Sequence, residues 1–109
     1  MDAREASQLV LDWHDRQLTL DGVGPVELGS ADGADLTVSG GSASRSHAHI
    51  EQRKQYFVLV DHSTNGTFVQ TEDERVTFLR RGELRLWGNG WIALGEPLSQ
   101  ESAIRFRHT

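Results

Sequence analysis

The chain has 109 residues, 11 Lys+Arg against 16 Asp+Glu, a net charge of −5 and no cysteine. That length carries one core and not two; the acidic balance excludes a general nucleic-acid binder, which needs a basic face against phosphates. The lack of cysteine excludes disulfides and thiolate metal sites and favours a reducing compartment. The opening MDAREASQ is polar and acidic, unlike a basic-then-apolar signal peptide, and no apolar run nears the ~20 residues that cross a bilayer. A cytoplasmic protein away from any membrane is therefore expected.

Residues 1–8 read as a flexible polar segment, and a single domain is expected over 9–109. Leu9–Trp13 is an apolar run too short for a helix and is predicted as a strand. His14-Asp15-Arg16 is a polar turn, Gln17–Leu20 alternates, and Asp21-Gly22 is a strong hairpin-turn dipeptide. Val26–Leu28 ends at Gly29, the loop Ser30–Asp35 follows, and Leu36–Val38 precedes a break at Gly40-Gly41-Ser42. Further strands are predicted at His47–Arg53, Tyr56–His62, Gly66–Gln70, Val76–Leu79, Leu84–Trp87, Trp91–Leu94 and Ala103–Arg107. Tyr56–Val60 is apolar on both faces, the pattern of an interior strand. No window keeps apolar residues at helical spacing, and 11 glycines punctuate the chain. The expected fold is all-β: a two-sheet β-sandwich of about eleven mostly antiparallel strands. Trp13, Trp87 and Trp91 read as core or edge packing, with an exposed one a mark of a protein contact.

The stretch SRSHAHIEQRKQYFVLVDHSTNGTF, Ser44 to Phe68, is an apolar hairpin about Arg53–Gln55 with polar ends. Pairing its strands makes those ends neighbours, which gathers Ser44, Arg45, Thr64 and Asn65 into one loop-built polar patch. Ser44, Ser63 and Thr64 also suit ordinary turns bonded to their own backbone, and Asn65-Gly66 suits a turn that needs φ > 0.

Two segments of this stretch resemble the forkhead-associated (FHA) domain. Ser44–Ile50 resembles that family's Ser-Arg-x-His-Ala-x-Ile motif, and Asp61–Phe68 its Asp-x-Ser-Thr-Asn-Gly-Thr-aromatic motif; Gly29 before a polar loop and Leu84–Gly95 fit as well. The resemblance implies an eleven-stranded sandwich that binds phosphothreonine peptides through loops at one end. Ser44 then matches the serine whose hydroxyl binds phosphate, Arg45 a phosphate-facing neighbour, Thr64 a loop contact to the phosphothreonine, and Asn65 the amide that holds the peptide backbone. Gly29, His47 and Gly66 match residues that support the site. One departure stands out: the family's glycine is usually followed by a phosphate-pairing arginine, and here Ser30 occupies that place. A charge-assisted bond contributes about twice a neutral one, so Ser30 is the weakest member of the expected site.

His47 and His49, two apart on a strand, have a spacing that also suits a metal, but a third ligand is lacking unless His62 folds back; they read as structural or surface histidines. A hydrolase would need Ser44, a histidine and Asp61 to meet, without the G-x-S-x-G elbow. No catalytic residue, metal or cofactor is expected. The expected partner is a phosphothreonine-containing protein or peptide, neither nucleic acid nor membrane. The alternative is a phosphate-independent module that docks a non-phosphorylated protein or forms a homodimer. Phe78–Arg81 and Leu86–Gly88 resemble FHA segments attached to bacterial class III adenylate or guanylate cyclases, so this alternative includes regulation of an attached cyclase.

Overall fold

The computed structural model describes residues 8–22, 24–39, 41–100 and 102–109. Among them are eleven strands: β1 Leu9–Trp13, β2 Arg16–Leu20, β3 Val26–Gly29, β4 Leu36–Thr37, β5 Ala48–Arg53, β6 Tyr56–Asp61, β7 Thr67–Thr71, β8 Val76–Leu79, β9 Glu83–Leu86, β10 Gly90–Leu94 and β11 Ile104–His108. They form a six-stranded sheet, β2-β1-β11-β10-β7-β8, and a five-stranded sheet, β4-β3-β5-β6-β9. The all-β sandwich expected from the sequence is the fold observed. The expected strand bounds agree to within a residue or two. No helix among the described residues is long and apolar enough to cross a membrane.

Alternation explains both sheets: β11 buries Ile104 and Phe106 and exposes Arg105, and β5 buries Ala48 and Ile50 between half-buried His49 and Glu51. The facing sheets enclose Leu9, Leu11, Leu28, Ile50, Phe57, Leu59, Ile92, Ile104 and Phe106, all at most 1% exposed. β6 lies between β5 and β9 and buries Phe57, Val58 and Leu59, as its apolar run predicted. The β5–β6 hairpin closes at Arg53↔Tyr56, with Lys54 at φ 55° in the turn.

One sequence expectation changes. Asp21-Gly22 closes no hairpin: β2 is an edge strand of the six-stranded sheet and β3 belongs to the other, so the chain crosses between layers there. Trp87 is 59% exposed and lies under the Arg85 guanidinium, 3.6 Å from the ring centre, while Trp13 packs on the core. One pairing is parallel, β3 with β4, within the mostly antiparallel sheets expected. Of the expected N-terminal segment 1–8 only Gln8 is described, and its carbonyl accepts the Thr109 N–H at 3.0 Å; Gly40 also lies outside the described residues.

Candidate functional site

The β5–β6 register places Ala48 opposite Asp61, so the segments before β5 and after β6 leave the sandwich side by side. The β3–β4 loop joins them: the Ser30 N–H donates to the Ser44 carbonyl at 3.0 Å and the Ala31 N–H to the Arg45 carbonyl at 3.1 Å. Gly29 permits this approach, because a Cβ there would sit 2.0 Å from the Arg45 carbonyl oxygen.

The loop 63–66 is braced from below by a buried polar network. His47 is fully buried. Its Nδ1 accepts the Ser44 N–H at 3.0 Å, so the ring hydrogen is on Nε2, which donates to the Gly66 carbonyl at 2.8 Å and lies 3.1 Å from Thr67 Oγ1. Burial holds the ring below its ordinary pKa, against the opposing pull of the Gly66 bond and the Asp61 charge. Asp61, 2% exposed, accepts from the Ser63 N–H at 3.0 Å, the Arg81 N–H at 2.9 Å and the hydroxyls of Ser63 and Thr67. Burial pushes its pKa up, but those bonds to Arg81, Thr67 and Ser63 prevail and hold it below the ordinary value. Ser63 Oγ in turn accepts the Gly66 N–H at 2.8 Å. Gly66 itself has φ 88°, and a Cβ would stand 2.4 Å from the Phe78 ring, so only glycine fits the turn.

This network lifts the tip of the loop into solvent. Thr64 and Asn65 are exposed, the Thr64 N–H donates to Ser44 Oγ at 3.3 Å, and Asn65 Nδ2 donates to the Ser42 carbonyl at 3.1 Å. Arg45, next to Ser44 in the chain, is exposed and carries no ion pair among the described residues. Ser30 is half-buried and its hydroxyl donates to the Ala43 carbonyl at 3.2 Å. Ser30, Ser44, Arg45, Thr64 and Asn65 thus meet at one end of the sandwich, around Gly29, His47 and Gly66.

Two features escaped the sequence reading. Arg81, at φ 56° in the turn before β9, donates from Nε to the Ser63 carbonyl at 3.3 Å and so stands against the Thr64 loop; no local pattern signals that placement. The bracing by Asp61 and Ser63 was legible in principle, because an Asp two residues before a Ser bonds the following backbone in an Asx turn. The triad weighed from sequence is not assembled: the His47 nitrogen nearest Ser44 takes the Ser44 backbone N–H, and the Ser44 hydroxyl bonds Thr64.

The family model for the FHA domain matches residues 26–85, and the chain belongs to that family. Among solved structures it is similar to the Mycobacterium tuberculosis Rv1747 FHA-1 domain, at 19% identity and a TM-score of 0.75, over 94% of this chain and 97% of that one. It is also similar to an FHA domain solved in a study of phosphothreonine-dependent FHA interactions, at 27% identity and a TM-score of 0.68, over 92% and 95% of the two chains. A third is the FhaA FHA domain, complexed with the intracellular domain of Rv3910, at 25% identity and a TM-score of 0.65, over 94% and 99%. No curated protein matches the chain.

Proposed function

We propose that this domain is a phosphothreonine-peptide reader whose site comprises Ser44, Arg45, Thr64, Asn65 and Ser30, within a module spanning residues 9–109. The observation that carries the reading is the bond from the Thr64 N–H to Ser44 Oγ, which joins the two loops, with Arg45, Thr64 and Asn65 exposed and Ser44 half-buried. Hydroxyls and N–H groups suit phosphate oxygens, the Asn65 amide suits a peptide bond, and Arg45 supplies the charge that Ser30 lacks. Two similar FHA domains, one from work on phosphothreonine-dependent interactions and one complexed with a partner protein, support it.

The test is an NMR titration with free phosphothreonine and a degenerate phosphothreonine peptide pool. Shifts centred on Ser44, Arg45, Thr64 and Asn65 are expected. Ser44→Ala should weaken the best peptide about tenfold to a hundredfold, the scale of a hydrogen bond to a charged group. Ser30→Arg, by adding a charge-assisted bond, should tighten it about tenfold. Equal affinity for the dephosphorylated peptide would end this reading.

A second reading, docking independent of phosphate or homodimerisation, draws on the outer face of the six-stranded sheet. Val76, Phe78 and Trp91 are 52%, 51% and 36% exposed there. The cyclase-like segments Phe78–Arg81 and Leu86–Gly88 fit a regulatory module of such an enzyme in a longer chain. This reading expects a partner, or a second copy by sedimentation, that is retained without phosphate and lost with Phe78→Ser.

A further inference from the structure

The outer face of the five-stranded sheet carries a second cluster, away from the core and independent of the peptide reading. Glu27 on β3 stands directly opposite His49 on β5. His62 follows β6, two residues beyond Val60, the β6 partner of His49, and so falls on the same face. Each of the three side chains offers one ligand atom, and these atoms all lie within 4.8 Å of one another.

The tautomers decide what this cluster wants. His49 Nε2 lies 2.9 Å from Glu51 Oε1, and His62 Nδ1 lies 3.1 Å from the Ser46 carbonyl. Both partners only accept, so each neutral ring spends its one N–H on them. The nitrogens left over, His49 Nδ1 and His62 Nε2, therefore face each other at 3.4 Å as two bare lone pairs, with the Glu27 carboxylate 3.8 Å from the second. Three electron-rich atoms held this close call for a cation between them. Two nitrogens bound to a tetrahedral zinc ion at about 2.0–2.1 Å stand about 3.3–3.4 Å apart, which is the spacing found here.

The surroundings supply what a metal site needs beyond its ligands. Glu51 fixes the His49 ring as an outer carboxylate, and Arg53 fixes Glu51, its Nε donating to Oε2 at 3.0 Å while its two terminal nitrogens grip Glu83 at 2.7 and 2.8 Å. The Ser46 hydroxyl donates to Glu27 Oε1. The His49 and His62 side chains are 25% and 37% exposed, so an ion and a completing water reach them from solvent.

We propose that Glu27, His49 and His62 form a binding site for one divalent ion of the zinc class, with water as fourth ligand. Such an ion would tie β3 and β5 to the segment that follows β6.

The test uses the untagged chain. Calorimetric titration with Zn²⁺ should give one ion per chain, with Mg²⁺ and Ca²⁺ unable to compete because imidazole favours transition metals. Co²⁺ should give the visible absorption of a tetrahedral site. His62→Gln, at an exposed position that leaves the core intact, should weaken Zn²⁺ at least tenfold, and Glu51→Gln about 10–100-fold as an outer partner. Independently of any variant, the ring ¹⁵N spectrum of the unaltered chain should shift on Zn²⁺ at His49 Nδ1 and His62 Nε2. The proposal is overturned if Zn²⁺ leaves those nitrogens unchanged, as a proton shared between the rings would require, or if the shifts appear at His14 or His108 instead.

Discussion

At the scale of single residues, His47 and Asp61 carry the cost of shaping the loops. Both are buried, both have their pKa lowered, and each holds a different proton count in the folded and unfolded chain. For His47 the folded ring resists the proton that the unfolded chain accepts near its ordinary 6.5. Its contribution is therefore complete above that pH and declines as pH falls toward the lower folded value. For Asp61 the same sign applies below its ordinary 3.8. We expect the melting temperature to fall from pH 7 to pH 5, and His47→Gln, less stable at pH 7, to lose less over that interval. A wild-type slope no steeper than the variant's would contradict the assignment. The same network shows why the site was only partly legible. That Ser44 and Thr64 meet follows from hairpin pairing alone, because a two-residue turn fixes the register of everything beyond it. That Arg81 reaches the Ser63 carbonyl depends on a different strand arriving from a distant turn, and nothing in the local sequence encodes it.

At the scale of elements, the site rests on backbone segments that approach without side chains between them. Gly29, at the end of β3, leaves room for the Arg45 carbonyl where a Cβ would sit 2.0 Å from its oxygen, whereas a Cβ at Gly33 in the following loop would meet nothing within 4 Å. Two glycines four residues apart therefore predict opposite outcomes. Gly29→Ala must push the 44–45 segment away, at a cost of about 1–3 kcal/mol as overpacking, and should weaken the peptide pool as well. Gly33→Ala, in open space at an ordinary φ, should be neutral or stabilise by about 0.4–1 kcal/mol through the unfolded chain. Denaturant midpoints of the two variants check this, and equal midpoints would refute it. Strand existence was readable from alternation, as in Ile104-Arg105-Phe106. Sheet membership was not, because Asp21-Gly22 specifies a turn and carries no information on which layer the next strand joins. The same gap left the histidines only half sorted: the sequence paired His47 with His49 by their spacing and offered His62 as a third, but His47 turns inward to the loops while His49 faces His62 across the strands.

At the scale of the whole molecule, the recognisable family segment and the folding unit are different things. The family match covers residues 26–85, which contain the site, all of β3 to β8 and most of β9. The four strands β2, β1, β11 and β10 lie outside it, and they make up most of the six-stranded sheet that covers the other layer. Without them the face carrying Ile50, Phe57 and Leu59 is bare, and Leu9, Leu11, Leu20, Ile92, Ile104 and Phe106 are gone from the core. At about 1.5–3 kcal/mol for each large side chain buried, that loss is of the same size as the whole net stability of a small domain, about 5–15 kcal/mol. The segment 26–85, expressed alone, is therefore expected to give a collapsed amide spectrum and no cooperative melt, although it holds every proposed peptide contact. Residues 8–109 should melt in one transition, because β11 sits between β1 and β10 and ties the two chain ends into a single sheet. A dispersed spectrum for 26–85 would mean that the loops are held by the five-stranded layer alone, and that the terminal strands add stability without defining the site.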